Sequence, residues 1–330
     1  MAKLPLSFAC WNYDRVAALV DGTVPVRGVE LNPLIMEVEE TFWRMMRHQE
    51  FDVAELSLSS YLIARDRGKP RFTAIPVFLS RSFRHSGIFV NTHAGIERPE
   101  DLRGKRIGIP EYQLTACLWI RGILQHEYGI HPTDVNWFVG GEETPGRVEK
   151  VALDLPDDVK ISPIDENATL NQMLETGELD AFIGPRSPSS FQNGSPHVQR
   201  LFPNYMEEEQ RYFERTGIFP IMHVVAVKDE ILERHPWVAM NLFQALLAAK
   251  EAVYAGFRQT AALKVTLPWL TAEVERTERI MGKDFWPYGI QPNRKTLQAA
   301  VDYSYEQGLI KRRLEIEELF ATSTLESYII

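Results

Sequence analysis

The chain has little cysteine, less positive than negative charge, and no long apolar run. Its 330 residues include 2 cysteines, and 36 Lys and Arg stand against 45 Asp and Glu, for a formal net charge of −9. Two isolated cysteines make neither a disulfide framework nor a zinc site, and we expect Cys10 and Cys117 to be buried thiols. An acidic chain lacks the basic face that neutralises phosphates, so nucleic acid is not an expected partner. A local cationic pocket for a small anion remains compatible with this charge.

The N-terminal stretch and the apolar runs predict a cytoplasmic location and no membrane partner. The stretch MAKLPLSFACWNYD reaches polar residues by position 12, so it lacks the apolar centre, roughly 7–15 residues long, of a secretory signal. No run approaches the roughly 18 apolar residues that cross a membrane as a helix. With 45% hydrophobic and 25% charged residues, the composition is that of an ordered globular protein long enough for two domains.

Short apolar runs alternate with segments of helical periodicity, which is the βαβα pattern of an α/β fold with parallel strands. The first predicted strands are LPLSFAC, VELNPLIME, the start of FDVAELSLSSYL, RFTAIPVFL and Arg106–Ile109. A helix is predicted from about Gln113 to Tyr128, with Gly129 as its C-cap. A long polar section covers Arg186 to Arg215, and Pro236 is placed to start a long helix.

Three phrases resemble the type II periplasmic-binding-protein fold: EDLRGKRIGIPEYQLTA, MLETGELDAFIG, and YSYEQGL followed by EELFA. The resemblance implies a two-domain α/β fold with a ligand cleft between the domains, in which the chain crosses out of the first domain and later returns. We therefore expect residues 1–87 and 222–330 to form a discontinuous first domain and 88–221 the second, with crossings near 81–91 and 217–227. The fold alone does not set the function, because transporters, regulators and enzymes share it.

Four longer phrases resemble the 4,5-dihydroxyphthalate decarboxylase family: FDVAELSLSSYL, SRSFRHSGIFVN, RIGIPEYQLTA and GIFPIMHVVAVKDEILERHPWV. The resemblance runs through nearly the whole chain and implies a carboxy-lyase of aromatic catabolism. Its reaction, a step of phthalate degradation, releases CO2 from a small aromatic di-acid, 4,5-dihydroxyphthalate, and leaves protocatechuate. Two alternatives stay open. One is a solute-binding protein for an aromatic carboxylate, and the other is a different small-molecule enzyme on this fold, of the kind found in menaquinone or thiamine-pyrimidine biosynthesis.

Four candidate residues lie at the two expected crossings, which would form the floor of the cleft. Arg81, Arg84 and His85 lie on the outgoing segment RSFRHSGIFVN, and His223 lies on the returning segment GIFPIMHVVAV. On a regular strand Arg81 and His85 share one side and Arg84 faces the other. We therefore expect Arg81 and His85 to face a ligand together, with Arg84 as an additional contact. The alternative for His223 is that of a satisfied core histidine.

Further candidates follow from the expectation that strand ends and helix starts open onto the cleft. Glu55 lies among apolar and small residues, which favours a paired carboxylate over a solvated one. Ser57 and Ser59 could contact a ligand or cap a helix. The remaining candidates for substrate binding are Tyr13, Glu111, Thr115, Arg186 and Trp286. For Glu111 and Thr115 the alternative is capping of the next helix, and for Tyr13 and Trp286 it is a place in the core.

Decarboxylation of an aromatic ring needs an acid at the ring carbon, a base at the hydroxyls, and a clamp for the retained carboxylate. Histidine titrates near neutral pH, so His85 or His223 is expected to be the acid. Glu55 is expected to orient a histidine or to take the hydroxyl proton, and Arg81 to hold the carboxylate bidentately. No cofactor or metal is predicted, since no His-Glu-x-x-His signature occurs, although ligands brought together by folding remain open. A homo-oligomer is the default expectation.

Overall fold

The computed structural model of the chain describes residues 2–68 and 70–325. The chain divides into two units. The first contains the chain up to Arg81, Ile221–Gln298 and the chain from Leu314 on, and the second contains Ser82–Pro220 and Ala299–Arg313. The segment Ala299–Arg313 therefore groups with the second unit, whereas the sequence-based division placed it in the first.

The strands and helices follow in chain order. The strands are β1 (Leu4–Cys10), β2 (Val29–Ile35), β3 (Val53–Ser57), β4 (Phe72–Arg81), β5 (Ile88–Asn91), β6 (Arg106–Ile109), β7 (Asn136–Val139), β8 (Ile161–Pro163), β9 (Ala181–Ile183), β10 (Val198–Arg200) and β11 (Ile221–Lys228). The helices are α1 (Asp14–Val20), α2 (Val38–His48), α3 (Leu58–Asp66), α4 (Thr115–Tyr128), α5 (Leu170–Thr176), α6 (Ser189–Gln192), α7 (Tyr205–Thr216), α8 (Asp229–Arg234), α9 (Trp237–Phe257), α10 (Leu270–Met281) and α11 (Arg294–Glu306). These elements confirm the predicted α/β class.

The sheet of the first unit has the strand order β2-β1-β3-β11-β4. Strand β1 runs parallel to β2 and β3, while β11 runs antiparallel to β3 and β4. The predicted parallel pattern is therefore right for the first three strands and wrong for β11. Strand β11 follows the long segment that forms the second unit, so no βαβ crossover connects it to the preceding strand of its sheet. It can therefore run antiparallel to its neighbours. Every residue of β3 is buried, as expected of a central strand covered on both faces.

The sheet of the second unit has the order β10-β5-β9-β6-β7-β8. Strand β5 is antiparallel to both of its neighbours, and β6 is parallel to β7 and β9. One face of this sheet carries a buried apolar cluster of Phe89, Leu170, Leu174, Leu179, Phe182 and Val198. Gly122 on α4 lies directly against the Tyr303 ring, and Arg121 donates to Gln307 at 2.8 Å. These contacts place Ala299–Arg313 in the second unit.

Helix ends follow local chemistry and were readable from the sequence. Helix α4 ends at Gly129, which adopts φ 66° as the predicted C-cap. Helix α5 begins after Thr169, whose hydroxyl accepts from the Gln172 N–H, and it ends at Gly177 with φ 83°. Helix α9 starts directly after Pro236, as predicted. Among the described residues no helix has the length and apolar content that a membrane crossing requires.

Two segments differ from the pattern expected from sequence. The chain from Arg81 to Asn91 is not one strand, because β4 stops at Arg81 and a 3₁₀ turn at His85–Gly87 precedes β5. The strand alternation that placed Arg81 and His85 on one side is therefore wrong. The polar section 186–215 contains α6, β10 and most of α7, whose polar outer faces hid their periodicity.

Candidate active site

Glu55 and His223 are diagonal neighbours on one face of the first sheet. In the antiparallel pairing of β3 with β11, His223 lies opposite Ser57 and Val225 lies opposite Glu55. Residues two apart on a strand share a face, so a diagonal pair is within reach of long side chains. The register between β11 and β4 shifts on both sides of His223. Such bulges re-aim a side chain and are common beside active sites.

The Glu55 carboxylate is completely buried and holds three hydrogen bonds. Its Oε1 lies 2.6 Å from His223 Nδ1 and accepts the Tyr13 hydroxyl at 2.7 Å. Its Oε2 accepts the backbone N–H of Trp11 at 3.0 Å. The Tyr13 hydroxyl is also 3.4 Å from His223 Nδ1. Three segments far apart in sequence therefore meet at a single carboxylate.

The partners of Glu55 keep it ionised despite its burial. Burial alone would raise the pKa of Glu55, but the charge of His223 and the hydrogen bonds from His223, Tyr13 and the Trp11 N–H lower it overall. The same carboxylate acts on its neighbours. Burial, and to a smaller extent the Glu55 charge, raises the pKa of Cys10 and of Tyr13 above their usual ranges. The Cys10 thiol is therefore held neutral, and the negative charge of the cluster stays on Glu55.

His223 presents one ring nitrogen to Glu55 and leaves the other free to act on a ligand. Its side chain is 16% exposed, and the Phe42 ring packs edge-on against it with centroids 4.8 Å apart. Among the described residues its side-chain hydrogen-bond partners are Glu55 and Tyr13, both at Nδ1. An ionised carboxylate at Nδ1 fixes the tautomer with the proton on Nδ1, so Nε2 can exchange a proton with a bound molecule.

A cation between two aromatic rings lies beside this pair. The Arg15 guanidinium carbon is 4.0 Å from the centroid of the Tyr13 ring and 4.4 Å from that of the Trp286 ring. Trp286 is fixed by its indole N–H, which donates to the Phe78 carbonyl at 2.8 Å. Sequence reasoning had selected Tyr13 and Trp286 but missed Arg15. The available signal was the position of Arg15, two residues after the candidate Tyr13 and close to the end of β1 at Cys10.

Ser57 and Ser59 lie at the start of α3, next to the pair. Ser57 is the N-cap residue, and its hydroxyl accepts the Ser60 N–H at 3.5 Å. Ser59 is fully buried. The observed geometry is that of a helix start, and contact of either serine with a ligand stays a prediction.

Arg81 is buried at the end of β4 and makes contacts within the first unit. Its Nη2 donates to the Pro287 carbonyl at 2.8 Å and to the side-chain oxygen of Asn293. Burial lowers the pKa of Arg81 to about 9. These contacts use Arg81 to hold the segment before α11, and binding of substrate by Arg81 stays a prediction.

His85 lies in the 3₁₀ turn of the second unit and is 1% exposed. Its ring packs against Phe202 and Tyr212, with centroids 5.3 and 5.4 Å away. Burial, followed by the charge of Arg215, lowers the pKa of His85 to about 4. A neutral, buried imidazole is a poor proton donor at neutral pH. The preceding Arg84 donates to the Pro185 carbonyl at 3.4 Å.

The other candidates of the second unit lie around the start of α4. Glu111 is buried and pairs with Arg147 and Lys150, each at 2.7 Å. Although burial would raise the pKa of Glu111, the two cations lower it. Neither Glu111 nor Thr115 caps α4, because the helix begins at Thr115 with Leu114 at the N-cap and no side-chain cap. Thr115 is buried and Arg186 is exposed, and their contact with substrate stays a prediction.

Glu149, beside this cluster, predicts a pH-dependent stability. Burial raises the pKa of Glu149 from 4.5 to about 7, and the negative charge of Glu111 adds to the shift. A folded-state pKa above the unfolded one means that stability present below pH 4.5 is lost as the pH rises through about 7. The free energy of unfolding of Glu149→Gln, minus that of wild type, should therefore be larger at pH 8 than at pH 5 by about 1–3 kcal/mol. Urea unfolding of both proteins at both pH values measures this difference. The exposed Glu166→Gln is the control, and a gain independent of pH would contradict the assignment.

In the part of the chain that the structure describes, no group of three or more His, Cys, Asp or Glu side chains is arranged to hold a metal ion. Cys10 and Cys117 are both free and buried, as predicted. The side chains of the site supply an ionised carboxylate, an imidazole with one nitrogen that faces away from that carboxylate, and a stacked guanidinium.

Comparisons with known proteins point to one family of enzymes and one fold. The 4,5-dihydroxyphthalate decarboxylase of Comamonas testosteroni is 42% identical over 328 residues, covering 99% of both chains. That of Pseudomonas putida is 48% identical over 202 residues, which are 61% of this chain and 78% of that one. A family model described as "ABC transporter, phosphonate, periplasmic substrate-binding protein" matches residues 16–155. The periplasmic aliphatic sulphonate binding protein SsuA of Escherichia coli is 12% identical, with a TM-score of 0.55 over 98% of this chain and 99% of that chain. At this identity the likeness to SsuA shows the periplasmic-binding-protein fold alone.

Proposed function

The chain belongs to the 4,5-dihydroxyphthalate decarboxylase family, and we propose that it releases CO2 from 4,5-dihydroxyphthalate with Glu55 and His223 as its proton-transfer pair. The reaction is a non-oxidative decarboxylation that leaves protocatechuate. The observation that carries the proposal is the buried, ionised Glu55, 2.6 Å from the Nδ1 of a partly exposed histidine.

The ring chemistry calls for an acid. Direct loss of CO2 would leave an electron pair in an sp2 orbital that the ring cannot delocalise. Protonation of the carbon that bears the leaving carboxylate, with ionisation of the hydroxyl para to it, gives a dienone. The C–C bond then breaks, its electron pair returns to the ring, and the phenolate takes up a proton. One proton is consumed and one CO2 is released.

His223 supplies the proton from Nε2, and Glu55 stabilises the imidazolium through Nδ1. A positioned acid of this kind contributes about 10²–10⁴-fold in rate. Glu55 is fully buried and holds three hydrogen bonds, which supports the orienting role over the alternative in which it takes a hydroxyl proton. Burial and the low pKa of His85 likewise support His223 over His85 as the acid.

Turnover of the proposed substrate is the direct test. Purified protein incubated with 4,5-dihydroxyphthalate should release CO2 and protocatechuate in equal amounts, measured by a coupled CO2 assay and by chromatography. A parallel preparation of His223→Gln controls for contaminating activity, since it should retain the fold and lose the turnover. Tight binding of the substrate with no turnover would instead identify a solute-binding protein.

We also propose that the enzyme is cytoplasmic, that it acts on a small aromatic di-acid, and that it self-associates. Support for self-association comes from one segment of the first unit, in which the large apolar side chains Leu263, Val265, Leu267 and Trp269 are all exposed, Trp269 by 75%. Several large apolar side chains exposed along one segment are typical of an interface. Light scattering after size exclusion measures the oligomeric state, and cell fractionation measures the location.

A further inference from the structure

The Arg15 guanidinium is held in a fixed orientation at the start of α1. Its Nε donates to the Leu79 carbonyl at 2.6 Å, and its guanidinium is stacked between the rings of Tyr13 and Trp286. Backbone and aromatic contacts therefore fix both the position and the plane of the group. A guanidinium that is fixed in this way loses little conformational entropy when it binds a planar anion.

The donors of Arg15 are only partly used. An arginine has five N–H donors. Besides the bond from Nε, Nη1 donates to Asp14 at 3.0 Å, and Asp14 is half exposed. Nη2 has no hydrogen-bond partner among the residues that the structure describes. An exposed ion pair contributes little energy, so the pairing with Asp14 leaves the cation able to bind a second anion.

The ring of Tyr13 lies between Arg15 and the proton-transfer pair Glu55 and His223. Tyr13, whose face Arg15 covers, donates its hydroxyl to Glu55 and lies 3.4 Å from His223 Nδ1. The two carboxylates of an ortho di-acid are on adjacent ring carbons. When the leaving carboxylate is next to His223, the second carboxylate is on the next ring carbon, so a cation that binds it must lie close to His223, and Arg15 is connected to His223 through Tyr13.

We propose that Arg15 binds the carboxylate that the reaction leaves on the ring, and that it thereby makes the enzyme select di-acids. The inference rests on the proposed function, because that function defines which carboxylate is retained. Trp286 and Tyr13 act on it as positioning residues, since they sandwich the guanidinium.

Binding of the product tests this assignment, because protocatechuate carries only the retained carboxylate. Arg15→Met should raise the Kd for protocatechuate about tenfold or more, the range for a hydrogen bond to a charged group. Arg15→Lys should give an intermediate Kd, because an ammonium cannot bind bidentately. Catechol, which has no carboxylate, should bind all three proteins equally. Titration calorimetry supplies each Kd, and circular dichroism checks that the variants fold.

Controls separate this inference from the proposed function. The exposed Arg27→Met removes an arginine of the same unit and should leave both Kd and turnover unchanged. If wild type converts 4,5-dihydroxyphthalate while Arg15→Met keeps the wild-type Kd for protocatechuate, the inference fails alone. A raised KM for substrate with an unchanged Kd for protocatechuate would assign Arg15 to the departing carboxylate and overturn it. If wild type has no turnover, the proposed function fails, whatever Arg15 does.

Discussion

Substitution of His223 by glutamine is expected to lower kcat by about 10²–10⁴-fold and to leave the Kd for protocatechuate within the wild-type range. Glutamine can still bond to Glu55, but it has no nitrogen that carries and releases a proton at neutral pH. The loss should therefore fall on the chemical step and not on binding. Single-turnover kinetics with 4,5-dihydroxyphthalate measures the step directly, and titration calorimetry measures the binding.

Two other histidines sharpen this test. His48 is exposed on the last turn of α2, and His48→Gln should match wild type. His85→Gln removes the other histidine that the sequence suggested as the acid. A near-normal rate in His223→Gln together with a large loss in His85→Gln would transfer the proton-donor role to His85.

Local signals account for the parts of the fold that could be predicted from sequence. Helix α4 ends where Gly129 supplies a left-handed residue, and β1 ends where LPLSFAC gives way to polar residues. Such features depend on residues close in sequence, so periodicity and capping rules reach them. The amphipathic α7 was missed because its charged face dominates the composition of the surrounding section.

Long-range contacts account for most of what could not be predicted at the site. The contact of Arg81 with Asn293, which is 212 positions away, has no signal in the local sequence. The turn at His85 breaks the strand that the alternation rule assumed. Glu55 and His223 are 168 positions apart, and only the antiparallel return of β11 brings them onto one face. Glu55 was selected from its local apolar context and His223 from its place on the returning segment, and the distance between them could come only from the fold.

Substitution of Glu55 by glutamine should lower kcat by about 10²-fold or more and shift the pH dependence of kcat. The amide keeps the size of the side chain but removes the negative charge that stabilises a protonated His223. If the imidazolium is the proton donor, the rate falls as the pH rises. Without the Glu55 charge this fall should begin at lower pH. The measurement is kcat against pH between 5 and 9 for both proteins.

Asp52→Asn is the matched control for loss of a carboxylate that anchors β1. Asp52 accepts the Ser7 N–H in the middle of β1 at 2.9 Å, and Glu55 accepts the N–H of Trp11, directly after the end of the same strand. Asp52→Asn should lower stability modestly, because it weakens the two part-buried hydrogen bonds from the Ser7 N–H and hydroxyl, and it should keep the wild-type pH profile. If Glu55→Gln lost rate with an unshifted profile, Glu55 would be an anchor for β1 and Tyr13 alone. A shift seen only in Glu55→Gln is the signature of a charge that acts on the proton-donating histidine, because a purely structural role moves stability and not the pH at which the rate falls.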